Sequence, residues 1–434
     1  MNKPIIDKNG KFIYNDDNNL EKEYDNLFNK KDKNHKKYFK NLSIIKKKEY
    51  IDIFKYIKSN TNIPLDIIVI NSNMNSEQKK LSLNTIQRLN NLDKDSSEYN
   101  KLNQWINELI KIPFGNYIDL PVNVNSTIHD KQQFLIKTND CLNEAVYGHH
   151  NAKNHILQVI SKWITNKNSG GNILAIQGPM GNGKTTLVKE GIANAINRPF
   201  SFIALGGTSD VSYFNGHGYT YEGSRCGKIV DILINCKCMN PIIYFDELDK
   251  VSDTYKGQEI IHMLTHITDA SQNSLFVDNY FHGVHIDLSK VLFIFSFNDE
   301  YKIDKILKDR MYVINTNGYN IKDKIIIANE YLIPKLLNTY NLVDKISLSD
   351  DIIDHIINNY THNEEGVRNL NRCIETILSK FNIYNILKDS HDNSISLDYK
   401  FTINDYPYIL TIDVVDSLLK KNTNNDKPPE HMYV

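Results

Sequence analysis

Apolar positions along the chain change their period from one region to the next, and each period predicts a different kind of element. Leu81, Leu83, Ile86, Leu89 and Leu92, then Leu102, Trp105, Ile106, Leu109 and Ile110, recur at three- and four-residue steps, which predicts two amphipathic helices between residues 76 and 112. Pro113 and the stretch 121–127 read as an extended linker. From 141 to 318 short apolar runs alternate with helical patterns, the signature of a parallel sheet flanked by helices. Strands are expected over 173–177, 200–205, 241–245 and 291–295, and the unbroken runs PIIYF and VLFIF suit central strands covered on both faces. Past Gly318 the pattern is helical again over 322–340, 349–360 and 364–388. A weak alternation over 394–412 suggests a hairpin around Asn404 and Asp405, before a last helix near 414–421. The expectation is an α/β domain over 141–318, preceded by a helical linker region over 61–140 and followed by a small helical domain over 319–421, with 422–434 as a loose tail.

Residues 1–60 lack such a pattern. They are rich in Asn and Lys, and Lys30, Lys31, Lys33, Lys36, Lys37, Lys40 and Lys46 to Lys48 form a basic stretch interleaved with Asn and Asp. It reads first as a solvated, disordered arm and second as a contact for nucleic acid or polyphosphate. The chain as a whole has no such bias. Its 51 Lys and Arg against 52 Asp and Glu leave a formal net charge of −1, so no global field draws it onto nucleic acid or an anionic membrane.

The 434 residues allow two or three domains at roughly 150 each, and 41% hydrophobic with 24% charged residues exclude a wholly disordered chain. No apolar run reaches the ~20 residues of a bilayer crossing, and the opening MNKPIIDKNGKF lacks the apolar stretch of a secretory signal. A soluble, intracellular protein without a membrane partner is expected. The five scattered cysteines suit a reducing compartment rather than a disulfide framework, and Cys236 and Cys238 form a lone C-x-C without a second zinc-ligand pair.

The strongest chemical signal is GPMGNGKTT, made by Gly178, Pro179, Met180, Gly181, Asn182, Gly183, Lys184, Thr185 and Thr186. It satisfies G-x-x-x-x-G-K-[ST] between the strand pattern ILAIQ and the helical pattern LVKEGIANAI. Glycines in such a loop let backbone N–H groups curl around a phosphate while the following helix aims its positive end at the anion. Lys184 is placed to reach the β and γ phosphates of ATP, and Thr185 to give its hydroxyl to Mg²⁺. Downstream, PIIYFDELDK ends an apolar strand in Asp246 and Glu247, which suit magnesium and the attacking water respectively. Asn298, at the end of VLFIFSFND, can orient the same water if its strand lies beside the DE strand. Arg310 in KDRMYVI and Arg368 in EEGVRNL are candidate cations for the γ-phosphate. His262 and His266 stand at i and i+4, but Met263 holds the place of the H-E-x-x-H general base, so a zinc peptidase is not expected.

Taken together, residues 96–388 resemble the ATPase module of the Lon family of ATP-dependent proteases, within the AAA+ superfamily. The likeness rests on SSEYNKLNQWINELIKIPFG, AVYGHHNAKNHILQVI, IALGGTSDVSYFNGHGYTYEGSRCGKI and ITDASQNSLFVDNYFHGVHIDLSKVLFIFSFND, besides the phosphate loop. The resemblance implies an AAA+ P-loop fold with a helical lid, and Val146, Tyr147 and Gly148 near the adenine. It also implies Asn298 as sensor 1, Arg310 as the arginine finger given to a neighbouring subunit, and Arg368 as sensor 2. The segment Thr220, Tyr221, Glu222 is similar to the family's pore loop, with Tyr221 keeping the aromatic grip and Glu222 replacing an apolar residue. Met180 and Asn182 stand where Pro and Val are usual. No Pro-x-x-Gly-x-Ser-Ala-Gly segment occurs. The resemblance therefore implies an ATPase core that hydrolyses ATP with Mg²⁺ in a hexameric ring and unfolds polypeptides without a peptidase of its own. Service to a separately encoded peptidase, or a nucleotide switch that binds nucleic acid through the basic arm, are the alternatives.

Overall fold

The apolar runs that lack alternation become the inner strands of one parallel sheet. The computed structural model describes residues 5–6, 12–13, 15–27, 33–59, 63–166, 173–208, 210–221, 223–362, 364–387, 397, 399, 401–403 and 405–419. Its main sheet holds β1 (Leu174–Gln177), β2 (Phe200–Ala204), β3 (Ile242–Asp246), β4 (Leu292–Phe297) and β5 (Tyr312–Asn315). These pair in the order β2-β3-β4-β1-β5, and every pairing is parallel. β4 is buried along its whole length and β3 at all but its last residue, as unbroken apolar runs require. β5 escapes the sequence reading: in YVIN only Ile314 is buried, so this edge strand carries almost no pattern.

The strand order decides where chemistry can sit. The chain leaves β1 and passes over β4 and β3 to reach the edge at β2, so the carboxyl ends of β3, β4 and β1 lie side by side at the mouth of a crevice. The expected adjacency of the Asn298 strand and the DE strand is found, with Ile242 opposite Leu292 and Phe245 opposite Phe295. A continuous helix over 184–196 follows β1, with a π-helical turn at Leu187–Ile192. Its Leu187, Val188, Ile192 and Ile196 recur at helical spacing and enter the same core as Ile156, Val159 and Ile160 of the helix His150–Thr165.

The chain divides into two compact units, residues 1–106 and 107–434. The segment 107–140, which the sequence grouped with the helical linker, thus belongs with the α/β sheet. Its hydrogen bonds explain this: the Asn240 side chain donates to the Ile118 carbonyl and accepts from the Ile118 N–H, each at 2.9 Å, and Met239 N donates to Asn116 O at 2.8 Å. The helix Ile128–Ala145 buries Leu142 in the sheet's core.

Within the second unit, the lid comprises a helix over 321–340, then Asp350–Tyr360, Arg368–Leu387 and Ile412–Leu419. The first of these takes a π-helical turn at Ala328–Leu332, directly before Ile333 and Pro334, where proline has no N–H for the regular ladder. The expected hairpin around Asn404 and Asp405 is corrected. Among the described residues of that segment, Tyr408–Ile409 pairs in parallel with Ile346–Ser347, so its partner lies far back in the chain rather than across a local turn. Asn404 and the tail 422–434 lie outside the described residues.

In the first unit Ile5–Ile6 pairs antiparallel with Phe12–Ile13, and the other described elements are helices: Asn15–Leu27, Lys33–Lys40, Ile44–Ser59, Leu65–Asn71 and Ser76–Asn90, with the helix Ser97–Leu109 beginning in it. Two of these helices run through the basic stretch read as a solvated arm. They fold because Phe39 and Ile51 are buried in one cluster with Leu20 and Tyr24. The lysines meet local carboxylates: Lys36 Nζ lies 2.6 Å from Asp25, Lys40 3.3 Å from Glu21, Lys47 3.9 Å from Glu21, and Lys55 pairs with Glu23. Among the described residues no helix is long and apolar enough to cross a membrane.

Candidate nucleotide site

The loop after β1 is tied to both neighbouring strands before the residues 181–186 begin. Gly178 N donates to the Phe297 carbonyl of β4 at 3.2 Å, and Thr316 N, just past β5, donates to Gln177 O at 2.8 Å. The Thr316 hydroxyl donates to the same Gln177 carbonyl at 2.7 Å and accepts from Asn182 Nδ2 at 2.7 Å. Gly178 sits inside this knot. A Cβ there would stand 2.1 Å from Thr316 Oγ1 and 2.6 Å from Asn182 Nδ2. Gly178→Ala should therefore lower stability by about 2 kcal/mol through overpacking, read as a lower midpoint in urea unfolding with an unchanged slope.

The loop's far side is held as tightly. The Asn182 carbonyl accepts from the Tyr319 hydroxyl at 3.0 Å and lies 2.9 Å from His149 Nε2, while Tyr319 also reaches His149 at 2.8 Å. Asn182 is buried where an apolar residue is usual; its Nδ2 donates to Thr316, while its Oδ1 meets no hydrogen-bond donor among the described residues. Gly183, at φ +86°, turns the chain into the 184–196 helix with Val146 packed against it. Lys153 Nζ donates to the Val146 carbonyl at 2.6 Å and to Asn143 Oδ1 at 2.9 Å, and burial pulls its ammonium down to about 8.

Lys184 spans the mouth of the loop. Its Nζ donates to Gly178 O at 2.7 Å, Pro179 O at 2.9 Å and Asn298 Oδ1 at 3.0 Å, so the phosphate loop and the end of β4 share one cation. Burial pulls the Lys184 ammonium below its ordinary value, opposed by the charges of Asp246 and Asp249. Beside it, Thr185 Oγ1 lies 3.3 Å from the Tyr244 hydroxyl, which donates to Asp246 Oδ1 at 3.4 Å, and Ser296 Oγ donates to the same carboxylate oxygen. Glu247 follows in the left-handed region at φ +58°, which turns its carboxylate off the strand axis and into the open cleft. Gly206 leaves it room, since a Cβ there would be 2.5 Å from Glu247 Oε2.

One cleft of ≈ 510 Å³ gathers most of the expected residues: Val146, Tyr147, Met180, Gly181, Asn182, Gly183, Lys184, Thr185, Thr186, Asp246, Glu247, Asn298 and Arg368. Gly178 and Pro179 contribute behind its wall through their carbonyls, and Gly148 occupies a turn at φ +69° next to Tyr319. The lid closes the cleft directly over the loop. Val367 N donates to Gly181 O at 3.0 Å, and the Glu364 carboxylate caps the start of the Arg368 helix by accepting from Arg368 N at 3.0 Å and Asn369 N at 2.7 Å.

Two expected residues lie elsewhere. Arg310 lines a different cavity, 3.0 Å from Asp269 and donating to the Thr265 carbonyl, and Tyr221 is 72% exposed on the loop between Gly216 and Gly227. Sequence reasoning also missed positioning residues. Buried Asp249 accepts from the backbone N–H groups of Asn298 and Asp299 at 3.3 and 3.2 Å, so the third acid of DELD holds the end of β4. Thr316, Tyr319, Tyr244 and Ser296 belong to no motif.

Residues 174–319 match the family described as ATPase family associated with various cellular activities (AAA), and residues 341–394 match the Lon protease AAA+ ATPase lid domain. The chain is 36% identical over 359 residues to a Lon protease homolog of Acanthamoeba polyphaga mimivirus, covering 79% of this chain and 34% of the relative. The chain is a Lon-family AAA+ ATPase module. This Lon-family chain is also 39% identical over 268 residues to the Lon protease of Clostridioides difficile, covering 61% of the chain and 33% of that protein. Against the mitochondrial Lon protease homolog of Homo sapiens the identity is 36% over 296 residues, 68% of this chain and 29% of the relative. The Lon-type chain thus spans about a third of the length of these relatives. Both matched regions coincide with elements described above, the AAA match with β1 to β5 and the lid match with the helices that close the cleft.

Proposed function

We propose that this module binds ATP with Mg²⁺ in the cleft and hydrolyses its terminal anhydride, as part of a ring that pulls on unfolded polypeptide. The observation that carries the reading is the convergence of three neighbouring strand ends and the lid on one cleft: Lys184 after β1, Asp246 and Glu247 at β3, Asn298 at β4 and Arg368 from the lid. The amides of 181–185 and Lys184 would hold the β and γ phosphates. The hydroxyl of Thr185 and the carboxylate of Asp246 are hard oxygen donors bridged by Tyr244, a donor set that fits Mg²⁺. When bound there, Mg²⁺ supplies charge to the phosphate oxygens.

Glu247 would accept the proton of the attacking water, with Asn298 orienting it and Arg368 meeting the γ-phosphate from the lid. Val146 and Tyr147 would flank the base. Arg310, which does not line this cleft, would act on the cleft of a neighbouring copy, and that role requires an oligomer. Exposed Tyr221 would then grip the polypeptide in the ring's channel. Service to a separately encoded peptidase is the alternative, and co-purification with ATP bound would reveal such a partner.

Light scattering after size exclusion, combined with phosphate release with and without unfolded casein, tests the reading. An ATP-dependent oligomer whose turnover rises with casein is expected. Tyr221→Ala should raise the casein concentration for half-maximal stimulation roughly tenfold, the scale for loss of an aromatic anchor. A monomer with casein-independent turnover would leave only the nucleotide chemistry.

A further inference from the structure

The loop that presents Tyr221 has a narrow neck, and a side chain from another loop closes it. Gly216 and Gly227 stand at its two ends: a Cβ on Gly216, itself at φ +76°, would fall 2.7 Å from Asp278 Oδ1 and 2.8 Å from the Gly227 nitrogen. Gly227 N donates to Asp278 Oδ2 at 2.8 Å, and Tyr280 N donates to Asp278 Oδ1 at 2.9 Å. The next residue adds two bonds, Asn279 N to Asn215 O at 2.7 Å and Asn279 Nδ2 to Gly216 O at 3.1 Å. Asp278 and Asn279 follow directly on one strand of the antiparallel pair Phe276–Val277 and His285–Ile286.

Asp278 is fully buried. Burial pushes its carboxyl up to about 7, against the N–H groups of Gly227, Tyr280 and Phe281 that pull it down. A carboxylate serving only the hairpin could be replaced by an uncharged acceptor. One that must face amides from two loops at once gains from both oxygens. The neck also leads toward the cleft: Gly227 precedes the helix Lys228–Cys236 that returns to β3, and the hairpin leads into β4.

We propose that Asp278 is a positioning residue that fastens the Tyr221 loop to the 276–286 hairpin, so that Tyr221 is held in one place when it meets an unfolded polypeptide. This rests on the polypeptide-gripping reading above.

The test uses the full chain and unfolded casein. Asp278→Asn keeps the shape but turns one oxygen into a donor facing a backbone N–H. It should raise the casein concentration for half-maximal stimulation about tenfold while the rate at saturating casein changes less than about twofold. Hydrogen exchange should accelerate together in 216–227 and 278–283. Gly216→Ala disturbs the same neck without altering the carboxylate, should give the same shift, and decides the matter if Asp278→Asn does not fold. Faster exchange with half-maximal stimulation left within twofold in either folded variant would overturn the proposal and leave Asp278 a purely structural residue. Tyr221→Ala separates the two ideas: if it leaves stimulation untouched, the gripping reading fails, and if it alone shifts stimulation, only this inference fails.

Discussion

Glu247→Gln should lower ATP turnover by roughly 10³-fold, the middle of the range for loss of a general base, while ATP affinity stays within about threefold. The expectation follows from how β3 ends. Asp246 remains on the strand, bonded by Ser296 and Tyr244, whereas Glu247 leaves it at positive φ and hangs in the cleft beside Gly206. An amide at 247 keeps that geometry but cannot take a proton from water. Lys184 and the loop amides, to which the proposal assigns the phosphates, are untouched. Phosphate release and calorimetric ATP titration on the same preparation measure both quantities. Turnover within tenfold of the original would remove Glu247 from the proton transfer.

The second large effect is expected at Arg310. Arg310→Ala should cut turnover by about 10³-fold, the lower range for loss of an arginine finger. Stability should change much less than turnover, because only a partly exposed pair with Asp269 and one bond to the Thr265 carbonyl are lost. A mixing experiment makes the assignment specific. Chains carrying Glu247→Gln lack a base but own a finger, and chains carrying Arg310→Ala lack a finger but own a base. If the finger acts on a neighbour's cleft, mixing these two weak variants should restore turnover at every contact that pairs an intact base with an intact finger. Additive, unrestored rates would place Arg310 within its own chain's chemistry or outside the chemistry altogether.

What could be read from the sequence follows a physical division. Strands buried on both faces announce themselves by composition, and β3 and β4 were legible for that reason; the glycine loop was legible because its constraint is local. β5 was not, since an edge strand with one buried residue leaves no periodic trace. The knot around Gly178 was illegible in another way: Asn182 and Thr316 are 134 residues apart, and neither reveals its partner until the sheet brings β5 beside β1. Asp249 lay in full view within DELD, yet its partners are backbone amides 49 and 50 residues on, which no spacing encodes. The lysine-rich region misled because charge density was counted before the facing carboxylates of 15–27 could be.

The peptide-to-peptide link between Val367 and Gly181 joins the lid to the glycine loop by one hydrogen bond's length. With so short a tether there is no slack between the hinged cap and the cradle beneath it. A tilt of the cap would pull on the glycine arch or break that bond, and a ligand that reshapes the arch would load the same bond. If a neighbouring copy of the proposed ring bears on the cap, reciprocity makes the change it causes in nucleotide affinity equal to the change the nucleotide causes in that contact.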